Sequence, residues 1–378
     1  MTQTPSDRGP ARCIHLDGGC RALDAQNDKL QLDPAASNGK TAVISLPSYH
    51  AAYAVLQKAG LKVVGVDLYC APEQTDGRRL PDWRGYYPVG TSLWPCAEQA
   101  DHWSFIAHAA FQQEQGPLWD VASRVSHQLR TCDWRLRQVS ECYHQQLSAT
   151  VRQEGFEAGR RFMDGFTWLG YLALQSFLVD ACVLRDYLAA SRSLLLPQPS
   201  DDAARPKIRG MASLKKYYLN KVSSDVPIDK VLAETTAPGG WLHRLSSYRV
   251  LVVHCAPLAS AGKTLYAVCI ALPLDASTTL PAVKFPLPSD PEGIQAGRSS
   301  GAYLNDPEMN YARFRNALDD PDEALDGLHY AHATLGQLAV LAAELSALMP
   351  VNPVMPHLME KDLLDIKIVP PRPNKDAR

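Results

Sequence analysis

Residues 248–255 read YRVLVVHC, and the stretch can be built in two ways. Four aliphatic residues, Val250 to Val253, separate Arg249 from His254. A β-branched run of this kind suits a buried strand, with the Arg and His marking its ends. On an α-helix the same separation sets the two polar groups about 140° apart. The stretch by itself leaves both open, so its neighbours carry the reading.

Upstream, the chain from about Ser92 to Leu195 has helical periodicity almost throughout. Trp103, Phe105, Ile106, Ala109 and Ala110 recur at helical spacings, and Val121, Val125 and Leu129 repeat every four. Leu136, Val139, Cys142, Tyr143 and Leu147 continue the pattern. The last helix of this run is expected over 156–195, apolar on more than one face through Phe162, Phe166, Leu169, Leu172, Leu178, Cys182 and Leu188. Its segment 165–184 is long enough to span a bilayer. Gln175 and Ser176 interrupt it, however, and Asp180 at a bilayer centre costs about 3 kcal/mol. With Arg160, Arg161 and Asp164 before it and Arg185 and Asp186 after it, the segment reads as a central core helix, and no membrane partner is expected.

Around this run the chain divides as follows. Residues 1–40 are polar without period and read as a disordered arm. Residues 41–91 read as a small α/β segment, with a helix over about 47–58, a strand over 61–68 and a loop from 71. The helical core is placed at 92–260. Within it, 197–210 is a loop by composition, 211–221 and 227–235 are short helices, and Ala237 to Gly240 form a turn. A strand and loop insertion is expected over 261–320, its strand at 263–274 and an interrupted edge strand after it. Asp320 as N-cap and Pro321 at the first helical position open a last helix, 321–350, packed on the core. Residues 351–378 read as a tail. The fold class is therefore mainly α, a helical bundle with a few peripheral strands.

The totals agree with a globular protein. The chain has 378 residues, 46% of them apolar and 21% charged, with a net charge of −2, so contact with nucleic acid has to come from a local basic patch. Nine cysteines at long spacings show no Cys-x-x-Cys pair and no zinc-type clip. Several sit in apolar runs, which favours a reducing compartment. The N-terminal residues lack the apolar run of a signal peptide, so a cytoplasmic location is expected.

Few residues carry chemistry. Gly262-Lys263-Thr264 ends like a phosphate loop, but Pro257 stands where the pattern needs Gly, and Gly39-Lys40-Thr41 fails in the same way at Pro34. Both read as turns. His329 and His332 share a helix face without a carboxylate or Cys at ligand spacing, so no metal and no cofactor is expected. Arg205, Lys207, Arg209, Lys215, Lys216 and Lys221 form a basic strip that suits a single-stranded backbone, with Tyr217 and Tyr218 placed to stack on bases. Arg249 and His254 have the chemistry for RNA cleavage without a metal. The imidazole takes the proton of a 2′-hydroxyl that attacks the adjacent phosphorus, and the guanidinium stabilises the developing charge. Read from the residues alone, a pair that merely ends a buried segment fits as well.

The arrangement resembles the HEPN superfamily, helical bundles whose late helix carries Arg, four to six residues, then His. Here the match is Arg249-Val-Leu-Val-Val-His254, after a long helical hairpin (134–195), a loop, a short helix and Trp241-Leu-His-Arg-Leu-Ser-Ser-Tyr248. The phrase YRVLVVHCAPLA is similar to segments of uncharacterised bacterial proteins of this type, and the resemblance covers about residues 134–260. It implies a HEPN-like bundle that works as a homodimer on RNA, as a toxin-like or phage-defence endoribonuclease, with Arg249 and His254 catalytic. Asp186 and Tyr248 would be supporting residues, Asp186 by pairing with Arg249 across the bundle. The family usually has Asn, Asp or His directly after the Arg, and here Val250 stands there. That departure points to the alternative, an inactive binding or dimerisation module.

Overall fold

Ile14, Leu16, Ala22, Leu30 and Leu32 alternate with polar residues, and they are fully buried on one face of a sheet. The structure, a computed structural model, describes residues 11–36, 39–88, 90, 92–154, 156–196, 208–219, 226–255, 266–275, 277–293, 296 and 324–356. Its first elements are β1 (Ala11–Leu16), β2 (Arg21–Ala25), β3 (Lys29–Asp33), β4 (Val43–Ser45), α1 (Ala52–Lys58), β5 (Val63–Tyr69), α2 (Pro72–Thr75) and β6 (Asp82–Gly85). The six strands form one sheet in the order β4-β3-β2-β1-β5-β6, and every neighbouring pair is antiparallel.

This corrects the expected disordered arm where it is described, over residues 11–36. Residues 11–33 supply three of the six strands, and the boundary expected at residue 40 falls inside the sheet. Two tight turns make the strands fold back. Asn27 and Asp28 both take positive φ (61° and 51°) between β2 and β3, which is a hairpin turn made without glycine. Gly18 and Gly19 do the same between β1 and β2. The composition looks unpatterned because part of the second face is also buried, and its residues there are polar: His15 and Arg21, with Asp67 beside them on β5.

That polar face lies on a long helix. The helical layer consists of α3 (Pro95–Gln112), α4 (Gly116–Glu154) and, after the short strand β7 (Arg161–Phe162), α5 (Gly165–Leu194). A left-handed Glu114 (φ 56°) helps to reverse the chain between α3 and α4. Of the expected apolar series, Phe105, Val121 and Cys142 are half-buried and Phe166, Leu169 and Leu172 of the last helix are exposed. Much of the series is buried, with Trp103, Ile106, Val125, Leu129, Leu136, Val139, Tyr143 and Leu147 all 0% exposed. Burying each such side chain contributes about 1.5–3 kcal/mol. The last helix of the run starts at Gly165 and not at 156, because Arg161 and Phe162 pair with Val268 and Ala267 of a later strand. Asp164 caps it, its carboxylate accepting from the Thr167 N–H.

The chain continues through α6 (Met211–Leu214), α7 (Pro227–Thr236), α8 (Trp241–Val250), β8 (Ala267–Pro273), β9 (Thr279–Lys284), β10 (Pro286–Leu287), β11 (Leu325–Asp326) and α9 (Gly327–Ser346). β7, β8 and β9 form a second, antiparallel sheet. The final helix packs on α3, α4 and α5. It begins at Gly327, capped by Asp326, whose carboxylate accepts from the His329 N–H. The expected cap at Asp320 and Pro321 lies outside the described residues. Of the expected tail, residues 351–356 are described, and Val354 donates to the Phe105 carbonyl at 3.3 Å. The protein is mainly α, with a six-stranded antiparallel sheet docked on its longest helix.

Candidate functional site

The open question of the opening stretch has a definite answer. Residues 241–250 are α-helical, and Leu251–Cys255 continue the helix with π winding. Leu242, Leu245, Tyr248, Leu251 and Val252 are buried, a helical spacing that packs α8 along α5. Tertiary packing thus overrides the β-branched preference of VLVV. The π segment changes the placement of the Arg–His pair. Its wider turn advances each residue by less than the 100° of an α-helix, so positions 249 and 254 lie about 80° apart around the axis instead of about 140°. The side chain of His254 lies outside the described residues.

Around Arg249 the seam between α5 and α8 carries several polar groups. Arg249 is half-buried, and among the described residues it has no hydrogen-bond partner. It lies close enough to Cys182 to oppose, with Arg185, the effect of burial that pushes this thiol up to about 11. Arg185 of α5 donates to Ser246 Oγ of α8 and, through Nε and Nη2, to Asp186 at 3.1 and 2.9 Å. Asp186 therefore does not make the pairing with Arg249 that the resemblance implies. Its carboxylate accepts from its neighbour Arg185 and from the Met211 N–H at 3.0 Å, which fixes the start of α6. Tyr248 is also structural. It is fully buried and donates to the Pro288 carbonyl.

The expected RNA strip is only partly present as a surface. Arg209 and Lys216 are exposed, and Tyr217 is exposed with the Lys216 ammonium 5.2 Å from its ring centroid. Lys215 instead turns inward and donates to the Thr236 carbonyl at the end of α7, at 2.5 Å. Arg205, Lys207 and Lys221, and the Tyr218 side chain, lie outside the described residues, as does Gly262-Lys263-Thr264. Gly39 and Lys40 sit in a turn between β3 and β4, held by the Gly39 N–H to Ala36 O and the Ala36 N–H to Lys40 O. His332 donates from Nε2 to the Tyr86 carbonyl at 2.8 Å, and its ring stacks on Tyr87. Among the described residues no group of three His, Cys, Asp or Glu side chains is placed to hold a metal.

Sequence reasoning missed a second polar cluster, between the sheet and α4. Ser140 Oγ lies 3.1 Å from His15 Nδ1, and His15 Nε2 lies 3.2 Å from Asp67 Oδ2. Arg137 grips Asp67 with two bonds of 2.8 Å, and Arg21 donates to Ser140 and to Glu141. Burial, then the nearby Arg21, pushes the His15 imidazole down to about 3, so it is neutral. Burial works to raise Asp67, but hydrogen bonds from His15 and Arg137 outweigh it and hold the carboxyl at about 2. A neutral ring then accepts from the Ser140 hydroxyl and donates to Asp67. The order Ser–His–Asp matches a nucleophile relay, but Ser140 and His15 are 0% exposed and Asp67 is 2% exposed, so no substrate reaches them. The cluster fastens sheet to helix. Its sequence signal was the alternation of Arg12-Cys-Ile-His-Leu16, obscured by charge on the buried face.

No protein family, curated protein or solved structure matches the chain.

Proposed function

We propose that the protein is a HEPN-like, metal-independent endoribonuclease that acts on RNA as a homodimer, in the manner of a toxin or phage-defence effector. Arg249 binds and polarises the scissile phosphate. His254 moves the proton between the attacking 2′-hydroxyl, the leaving 5′-oxygen and solvent. The observation that carries this reading is the π winding of Leu251–Cys255, which turns positions 249 and 254 toward one side of a single helical element. π turns recur at functional sites because the extra residue re-aims side chains without ending the helix. The half-buried Arg249 without a partner among the described residues adds to it, since a structural arginine at this depth is normally paired. Arg209, Lys216 and Tyr217, all exposed, supply backbone and base contacts ahead of the pair.

The test is cleavage of a mixed RNA pool with a chelator present. Wild type is expected to leave 2′,3′-cyclic phosphate ends, and His254→Ala and Arg249→Ala to lose at least about 100-fold in rate. Equal activity in wild type and His254→Ala, or none in either, removes the enzyme reading.

A second reading keeps the bundle and drops the chemistry: a binding or dimerisation module. Two observations favour it. Val250 follows the Arg where a polar helper is expected, and Asp186 is already taken by Arg185 and Met211. Chelator-resistant cleavage by the wild type, lost in His254→Ala, would dismiss it.

A further inference from the structure

The segment that carries the exposed Arg209 and Lys216 is tied to α5 through one carboxylate. Asp186 Oδ1 accepts from the Met211 N–H, the first of α6, at 3.0 Å. Arg185 donates to the same oxygen through Nε and Nη2, and through Nη1 to Ser246 of α8. A short chain of hydrogen bonds therefore joins three elements. These are α8, which carries Arg249, then α5, then α6, which runs on with π winding through Lys215–Leu219.

Gly210 makes room for this contact. Its φ of −179° is extended backbone that any residue adopts, so conformation does not call for glycine here. Space does: a Cβ at 210 would lie 2.8 Å from Asp186 Cγ and 2.9 Å from its Oδ1. Without a side chain at 210, the carboxylate reaches the next N–H. The rest of the segment is then locked. Ser213 Oγ accepts from the Arg209 and Gly210 N–H groups at 3.0 and 3.2 Å. Met211 and Leu214 are buried, and Lys215 is held by the Thr236 carbonyl. Two cations, Arg209 and Lys216, are left facing solvent.

Cys182 marks where this arrangement meets Arg249. Its buried thiol lies near Arg185, Asp186 and Arg249 alike. Cys182 and Asp186 are four residues apart on α5, a step of about 6 Å. The start of α6 thus sits beside the turn of α5 that Arg249 approaches.

We propose that Asp186 is a positioning residue of the nuclease site, which holds a single RNA strand running from Arg249 over Arg209 and Lys216. Asp186 itself touches no RNA. Through the Met211 N–H it fixes the start of α6, and with it the place where the two cations meet phosphates flanking the scissile one. The inference rests on the nuclease reading.

The test is steady-state cleavage of a labelled single-stranded RNA by the full chain, with kcat and KM read separately. Contacts to flanking phosphates are the same in the ground and transition states, so losing them raises KM and spares kcat. Asp186→Ala and Gly210→Ala should each raise KM at least about 10-fold, with kcat within about 3-fold of wild type. Both should match Arg209→Ala/Lys216→Ala. Gly210→Ala keeps the carboxylate and only displaces it, so it carries the test if Asp186→Ala does not melt cooperatively. Asp186→Asn keeps an acceptor for Met211 and should recover most of the loss in KM. A wild type that cleaves, with KM unchanged in Asp186→Ala and Gly210→Ala, overturns this assignment and leaves the nuclease reading standing. So does a kcat that falls while KM holds, which would mean that the carboxylate acts at Arg249 itself. A wild type that cleaves no RNA removes both.

Discussion

Arg137 and Asp67 lie 70 residues apart in sequence and meet through two hydrogen bonds of 2.8 Å each. The pair joins the longest helix to the middle of the sheet. It also takes up the carboxylate on which His15 leans. Removing Asp67 leaves a buried imidazole and a mostly buried guanidinium without their acceptor. Asp67→Ala is expected to cost about 3–5 kcal/mol, because a broken buried ion pair leaves the other charge stranded. Arg137→Ala should cost less, since Asp67 keeps His15. In a double-mutant cycle read by urea unfolding, the double variant should lie well above the sum of the singles in stability. Additive losses would mean that the two groups do not share this contact.

The neutral His15 sets one pH dependence. Its folded value is about 3, against an ordinary value near 6.5. Between those values the unfolded chain takes up a proton that the folded protein does not. The stability due to the neutral buried ring is thus present above about pH 6.5 and is lost as pH falls toward 3. His15→Gln removes this dependence. The stability advantage of wild type over the variant should shrink by on the order of 3 kcal/mol between pH 7 and pH 4. A difference that stays constant over that range would show that His15 is not held neutral.

A second buried group works in the opposite direction. Asp133 of α4 accepts from the Gly85 N–H, and burial raises its carboxyl to about 7. Its folded value lies above the ordinary 3.8, so the folded protein holds a proton that the unfolded chain has lost. Its contribution is full below about pH 4 and is lost as pH rises through 7. Asp133→Asn keeps an acceptor for Gly85 and carries no charge. Relative to wild type, it should gain on the order of 2 kcal/mol between pH 5 and pH 8, measured by thermal melts at each pH. Because His15 and Asp133 pull against each other between pH 4 and 7, the wild-type curve conceals both, and the single variants separate them.

The helices were legible in the sequence and the sheet was half hidden, for physical reasons. Val125, Leu129, Leu136, Val139 and Leu147 have one buried side and a period that survives any context. The strand β1 and the start of β2 bury two faces of different chemistry. Ile14 and Leu16 face an apolar layer, whereas His15 and Arg21 face α4 as hydrogen-bonding groups, so the alternation looked like polar noise. The start of α9 was misplaced because Asp320-Pro321 and Asp326-Gly327 both look like helix starts, and only Tyr143 and Phe285, distant in sequence, choose Asp326. At the candidate site, the spacing of Arg249 and His254 was legible. The π winding between them was not, since VLVV reads equally as strand.

The approach of β1 and β2 to α4 rests on Gly19. Its φ of +83° is a conformation that a side chain rarely adopts, and a Cβ there would sit 2.6 Å from the Tyr143 carbonyl oxygen. Gly39 has a similar φ, +77°, with nothing within 4 Å of where its Cβ would be. The pair separates backbone strain from close packing. Gly39→Ala should cost about 1 kcal/mol from the positive φ alone. Gly19→Ala carries the same strain and must also push the hairpin off the helix backbone. That movement loosens His144 from the Gly19 carbonyl, 2.9 Å away, and strains the His15–Ser140 contact one strand over. A loss of at least about 3 kcal/mol is expected, read by urea unfolding of the two variants side by side. Equal losses at the two sites would show that the turn does not press on α4 and that the polar layer alone holds sheet to helix.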